Sequence, residues 1–166
     1  RPYDETLVRD PSLIIYRPVR RLGKHLIVTN GDQTDTVYDA LKEGGSFEEA
    51  LRTRAFEPDA PNFTPRISGL MSLEDGGFSL SILRAADALG SACDRMFYEY
   101  AAIPGEGRFI HTYAQDGNPL PSFFGEPGRI VNANPPMGAY ELSPGEKPRT
   151  FSNVAAKVTK AKAVRK

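Results

Sequence analysis

The run Glu74-Asp75-Gly76-Gly77, set between two stretches of β-type residues, constrains this chain more than any other feature. An Asp-Gly pair in that setting is the strongest short-range hairpin signal, because its tight turn forces the flanking strands to pair antiparallel. Residues 67–73 and 78–83 are therefore expected to be neighbouring strands. Residues 95–102 and 108–114 flank Pro104-Gly105-Glu106-Gly107 and predict a second antiparallel pair, with Phe109, His111 and Tyr113 on one face. Four consecutive strands predict a meander. Residues 116–137, rich in Gly, Pro and Asn, read as an ordered irregular loop.

Upstream of the Pro-containing segment 57–65 the pattern is different. Residues 13–16 read as a short buried strand that Pro18 ends or edges, since proline cannot donate to a ladder. Leu22-Gly23-Lys24-His25 reads as a turn into a strand over residues 26–29, whose unbroken apolar run predicts burial on both faces. A helix follows from Asp32, with Val37, Tyr38 and Leu41 on one side and Gly44-Gly45 as its stop. Ser46-Phe47-Glu48-Glu49 is a capping-box pattern opening a second helix that buries Phe47, Ala50 and Leu51. Residues 151–166 predict a short helix carrying Val154 and Val158 that frays into a basic tail. Two small helices followed by a mostly antiparallel sheet make an α+β domain.

The length of 166 residues suits one well-filled core, so residues 1–166 are read as a single domain. Its 21 basic and 21 acidic side chains cancel, which removes the field that nucleic acid or an anionic membrane would require. No apolar run approaches the roughly 20 residues of a membrane span, so a soluble, cytoplasmic protein is expected. The one cysteine, Cys93, cannot form an internal disulfide and reads as a small buried hydrophobe. With two histidines it makes no metal-ligand pattern, and neither metal nor cofactor is expected.

Three clusters carry candidate chemistry. Thr29-Asn30-Gly31-Asp32-Gln33-Thr34-Asp35 is a polar turn from strand into helix, where exposed N–H groups and the helix dipole favour a polar or anionic ligand. Asp, Thr and Asn also cap helices throughout proteins, which is the plainer explanation. In Asn62-Phe63-Thr64-Pro65-Arg66-Ile67-Ser68-Gly69 the guanidinium of Arg66 offers a planar fork for a phosphate or carboxylate, against the alternative of a surface ion pair. The third joins residues 107–113 to residues 120–127, with His111 either a general acid or base or a hydrogen-bonded packing residue. Tyr16 and Arg20 lie at the end of the strand expected to neighbour the Thr29 strand, from which both can project toward the same turn, although a strand tyrosine is more often a core residue.

The succession Pro11-Ser12-Leu13-Ile14-Ile15-Tyr16, Val28-Thr29-Asn30-Gly31-Asp32-Gln33-Thr34-Asp35, Thr64-Pro65-Arg66-Ile67-Ser68-Gly69 and Phe109-Ile110-His111-Thr112-Tyr113 resembles the archaeal-type inosine monophosphate (IMP) cyclohydrolase family and its bacterial relatives, from about residue 10 to about residue 128. The resemblance implies an N-terminal-nucleophile-hydrolase-like αββα sandwich, two mostly antiparallel sheets between helical layers. It further implies metal-independent closure of 5-formamidoimidazole-4-carboxamide ribonucleotide to IMP, the last step of de novo purine synthesis, by a homo-oligomer whose partner is a small purine ribonucleotide. Under it Tyr16, Arg20, Asp32 and Arg66 are the catalytic candidates, and Asn30, Gly31, Thr34, Asp35, Thr64 and His111 the substrate-binding ones. Because Asp32 and Asp35 already compensate the helix dipole, the phosphate is expected at the arginines and the neutral end of the substrate at the turn. The family also has an N-terminal strand pair that this sequence is expected to lack. Two alternatives stand beside it: an N-terminal-nucleophile amidohydrolase, which needs a Ser, Thr or Cys amine where Arg1 stands, and a non-catalytic purine-nucleotide-binding or structural protein of the same fold.

Overall fold

Gly23-Lys24 closes the first hairpin, joining β1 (Val19–Leu22) to β2 (His25–Thr29) with Leu22 opposite His25. The computed structural model describes residues 15–134, 137–140 and 149–150. Beyond β2 come α1 (Gln33–Lys42), α2 (Phe47–Arg52), β3 (Arg66–Ser72), β4 (Phe78–Ala85) and β5 (Cys93–Tyr100). The strands form one five-stranded sheet in the order β1-β2-β3-β4-β5, every neighbouring pair antiparallel.

Local chemistry accounts for the two helices. The Ser46 hydroxyl accepts the Glu49 N–H while the Glu49 carboxylate accepts the Ser46 N–H, so the expected capping box is present at the start of α2. After α1 the Gly45 N–H donates to Ala40 O, ending the helix at the glycine pair. Both helices present apolar side chains to one face of the sheet. Val37, Phe47, Ala50 and Leu51 meet Ile27 and Leu83 in the core, and Phe47 packs edge-on to Phe97 at 6.5 Å. Each fully buried Ile or Leu contributes about 1.5–3 kcal/mol relative to exposure. Cys93 is only half-buried, because it opens β5 at the border of this core and not within it.

Burial on both faces of β2 is not what is found: Ile27 is inaccessible, whereas Val28 on the other side of the pleat is 44% exposed. An apolar run reports the absence of polar residues and not the presence of a second covering layer. The register sets Val19, Val28, Gly69 and Leu80 in one cross-strand row, and Leu26, Met71 and Phe78 in the next.

The chain forms two compact units, Arg1–Ala101 with His111–Phe124, and Ala102–Ile110 with Gly125–Lys166. The second holds a four-stranded sheet of β6 (Glu106–Phe109), β7 (Gly128–Asn134), β8 (Met137–Tyr140) and β9 (Arg149–Thr150), in the order β6-β7-β8-β9. The four-strand meander is therefore corrected: β6 pairs with β7 and not with β5. Residues 111–114 are not strand, although Tyr113 bridges to Ser122, so Phe109, His111 and Tyr113 do not share a strand face. The loop over residues 116–137 contains β7, because Arg129, Ile130 and Val131 find antiparallel partners in Arg108, Gly107 and Glu106. Ile15 and Tyr16 lie in a bend before β1, and the rest of the first expected strand, like the helix over residues 151–166, falls outside the described residues.

Candidate functional site

Strand β2 ends at Thr29 opposite Ser68, so the next residue comes level with Ile67, the second residue of β3. Asn30 extends the pairing with both backbone and side chain. Its N–H donates to Ile67 O at 3.2 Å, its Nδ2 donates to Pro65 O at 2.9 Å, and its Oδ1 accepts the Ile67 N–H at 2.8 Å. The Thr29 and Thr34 hydroxyls, 2.6 Å apart, lie within 2.7 Å and 3.0 Å of Gly31 O. These bonds fix the turn from β2 into α1 before any charged group is considered.

Arg66 opens β3 and is 5% exposed. Its Nη1 lies 2.6 Å from Asp32 Oδ1, 2.7 Å from Gln33 Oε1 and 3.8 Å from Glu57 Oε1. Glu57 is itself buried, and its N–H is held by Thr64 O at 2.9 Å. Arg54 approaches Asp32 from the other side, with Nη2 at 2.6 Å from Oδ1 and 2.5 Å from Oδ2. Two guanidiniums thus share one carboxylate. Asp32 occupies the N-cap of α1 yet makes no side-chain cap hydrogen bond, because its oxygens are committed to the arginines. Burial pushes the Asp32 carboxyl up, but the Arg54 hydrogen bond and the charges of Arg66 and Arg54 outweigh it and hold the group below the usual carboxylate range.

Gly31 has a steric reason to be glycine. A Cβ there would lie 2.4 Å from Arg66 Nη1 and 2.5 Å from Gln33 Oε1, closer than any real side chain stands.

The remaining candidates fall into separate groups. Arg20 on β1 pairs with Asp35 at 2.6 Å and stacks 3.2 Å over the Tyr38 ring, binding the edge strand to α1. Thr64 accepts or donates at 2.6 Å to the Tyr113 hydroxyl and reaches Asp59 through its hydroxyl and N–H. His111 faces Tyr113 O through Nδ1 and packs on Phe123 with ring centroids 4.4 Å apart. Tyr16 is half-buried and, among the described residues, has no hydrogen-bond partner. The structure thus joins Asn30, Gly31, Asp32, Thr34 and Arg66 in one network, Arg20 with Asp35 in a second, and Thr64 with Tyr113 and His111 in a third. Gln33, Arg54 and Glu57 were not anticipated. Gln33 stands inside the singled-out turn, so its position was the signal. Arg54 follows α2 and Glu57 starts a proline-rich stretch, and nothing local in the sequence ties either to Asp32.

Chemically the network is an oriented cation. Arg66 is locked at Nη1, while its Nε and Nη2 have no hydrogen-bond partner among the described residues. Such an edge can receive a phosphate or a developing oxyanion. A separate open groove of about 340 Å³ lies at the far end of β2 and β3, lined by His25, Ser72, Asp75, Phe78, Glu99 and Tyr100. Among the described residues no group of three or more His, Cys, Asp or Glu is placed to hold a metal ion, and no helix is long and apolar enough to cross a membrane.

Residues 1–144 match the model of a protein family described as IMP cyclohydrolase-like protein. No curated protein matches the chain with significance.

Proposed function

Because the chain belongs to the IMP cyclohydrolase-like family, we propose that it closes 5-formamidoimidazole-4-carboxamide ribonucleotide to IMP with loss of water. The carboxamide nitrogen attacks the formyl carbon of the same molecule and gives up a proton as the C–N bond forms. The formamido nitrogen then gives up a second proton as its C=N bond forms and the C–O bond breaks, so that the former formyl oxygen departs with two protons as water. The reaction asks the protein to hold two groups in near-attack geometry, to stabilise the tetrahedral oxyanion and to move a proton.

The observation that carries this reading is the Arg66 fork, buried, anchored on one nitrogen and without a hydrogen-bond partner at Nε and Nη2 among the described residues, within the matched segment. Arg66 takes the phosphate or the oxyanion. Asp32, kept ionised between two arginines, serves as the anchor of Arg66 and not as a proton donor near neutral pH. Proton transfer falls to Tyr16 and to Glu57, the second buried carboxylate beside the fork. Gly31 and Asn30 form the wall that receives the heterocycle, with Thr34 holding that wall in shape and Thr64 and His111 completing the substrate contacts. Arg20 and Asp35 fix the start of α1 against β1.

The same reading carries an N-terminal-nucleophile-hydrolase-like αββα sandwich, for which the apolar rows on the face of the sheet away from the helices are suited. It also carries a single domain, a cytoplasmic setting and a homo-oligomer. Incubating the protein with the formamido ribonucleotide and following the ultraviolet change of ring closure tests it. Steady turnover is expected. Binding of IMP without turnover would instead favour the non-catalytic nucleotide-binding alternative.

A further inference from the structure

We infer that Gln33 is a positioning residue that aims the Arg66 guanidinium, its amide held in the one orientation able to do so. The inference rests on the reading of this turn as the nucleotide pocket. Hydrogen-bond polarity fixes Asn30 first. Its Nδ2 faces a carbonyl, Pro65 O, which can only accept, and its Oδ1 faces the Ile67 N–H, which can only donate. Reversing that amide would set oxygen against oxygen and N–H against N–H.

The orientation of Gln33 follows from that of Asn30. Gln33 Nε2 lies 3.1 Å from Asn30 Oδ1 and 3.2 Å from Ile67 O, both acceptors, so the atom left to face Arg66 Nη1 at 2.7 Å is the oxygen. A guanidinium Nη1 carries two hydrogens, and here it has two close acceptors, Gln33 Oε1 and Asp32 Oδ1. Asp32 alone would leave the fork free to turn, since its carboxylate is shared with Arg54. The second acceptor on the same nitrogen sets the plane of the guanidinium, and with it the direction of the Nε/Nη2 edge.

Burial strengthens the point. Gln33 is 0% exposed, a depth at which an apolar side chain of the same length fills space at no polar cost. The amide at this position is explained by the two ends it connects, β3 backbone on one side and Arg66 on the other. Gly31 keeps clear the space over both Nη1 and Oε1.

Two variants separate aiming from mere support. Gln33→Met keeps the length and removes both polar ends. Gln33→Glu keeps an oxygen toward Arg66 but sets a carboxylate against Asn30 Oδ1 and Ile67 O, so it is destabilised at least as much. Kinetics of ring closure on the full chain, urea unfolding of each variant and a crystal structure of Gln33→Met are to be compared. The expected result is a fall in kcat/KM on the order of 10²-fold for Gln33→Met, a clearly smaller fall for Gln33→Glu, and a rotated Arg66 fork in the Gln33→Met structure. Unchanged kcat/KM in Gln33→Met, losses that simply follow stability, or an unmoved Arg66 would overturn the inference. A wild-type protein that neither closes the ring nor binds IMP refutes the functional reading instead, and the Gln33→Met structure still decides whether Gln33 aims Arg66.

Discussion

At one end of β2 and β3 the chain buries Arg66 between Asp32 and Gln33. At the other, the same two strands finish in hairpins where Lys24 and Glu74 meet at 2.7 Å with more than half of each side chain exposed. The exposed end also has the groove, with a rim of hydroxyls, carboxylates and aromatic rings. An exposed ion pair is screened by water and holds little in place, whereas a buried one is tolerated only with its hydrogen-bonding capacity filled. The Arg66 end meets that condition at Nη1 and leaves Nε and Nη2 without a hydrogen-bond partner among the described residues, an oriented charge of the kind that receives an anion.

The largest expected effect is at the buried end. Arg66→Ala leaves Asp32 and Glu57 without their shared cation, so stability should fall by about 3–5 kcal/mol, as with other broken buried pairs. In the fraction that folds, kcat/KM should fall on the order of 10³-fold. Urea unfolding and steady-state kinetics read the two effects separately, and activity near the wild-type level would remove Arg66 from the site.

One substitution made at both ends sharpens the contrast. Gly31→Ala drives a methyl into Arg66 Nη1 and Gln33 Oε1, which should cost about 1–3 kcal/mol of overpacking and displace the fork enough to lower kcat/KM on the order of 10²-fold. Gly76→Ala, at a turn residue with φ of 76°, should cost about 1–2 kcal/mol of backbone strain and leave kcat/KM unchanged. Equal activity losses at the two glycines would show that the ends are not functionally distinct.

Acid separates the ends by a different route. The Asp32 carboxyl is held low in the folded protein, so its contribution to stability is complete above its unfolded value near about pH 4 and is lost as pH falls through the depressed folded value. The stability gap between wild type and Asp32→Asn should therefore be constant from neutral pH down to about pH 4 and close below it. A gap that instead opens on acidification contradicts the assignment. Smallest of all, Lys24→Ala should change neither the melting temperature nor turnover measurably, because its partner Glu74 is equally exposed.

How much of this was legible in the sequence depends on the range of the interaction involved. The Asp75-Gly76 hairpin, the capping box at Ser46 and the end of α1 at the glycine pair are decided within four or five residues, and each is found where the sequence put it. The pairing of β6 with β7 spans a loop of eighteen residues between Phe109 and Gly128, and no local pattern at residues 108–114 distinguishes it from pairing with β5. The site divides in the same way. Asn30, Gly31, Asp32 and Arg66 stood out by composition and position, and they do meet. Arg54 and Glu57 join them only because α2 and the segment after it fold back on α1, a tertiary fact with no sequence period. Gln33 was hidden by its type, since a glutamine in the first turn of a helix is unremarked until its two amide ends are seen to touch different things.

The buried charge cluster, and not the groove, is proposed to receive the nucleotide. A crystal structure of the full chain with IMP tests it most directly. IMP is expected against the Nε/Nη2 edge of Arg66 beside Asn30 and Gly31, with Asp32 and Gln33 still on Nη1. IMP lodged instead between His25 and Tyr100, with the Arg66 edge empty, would contradict it.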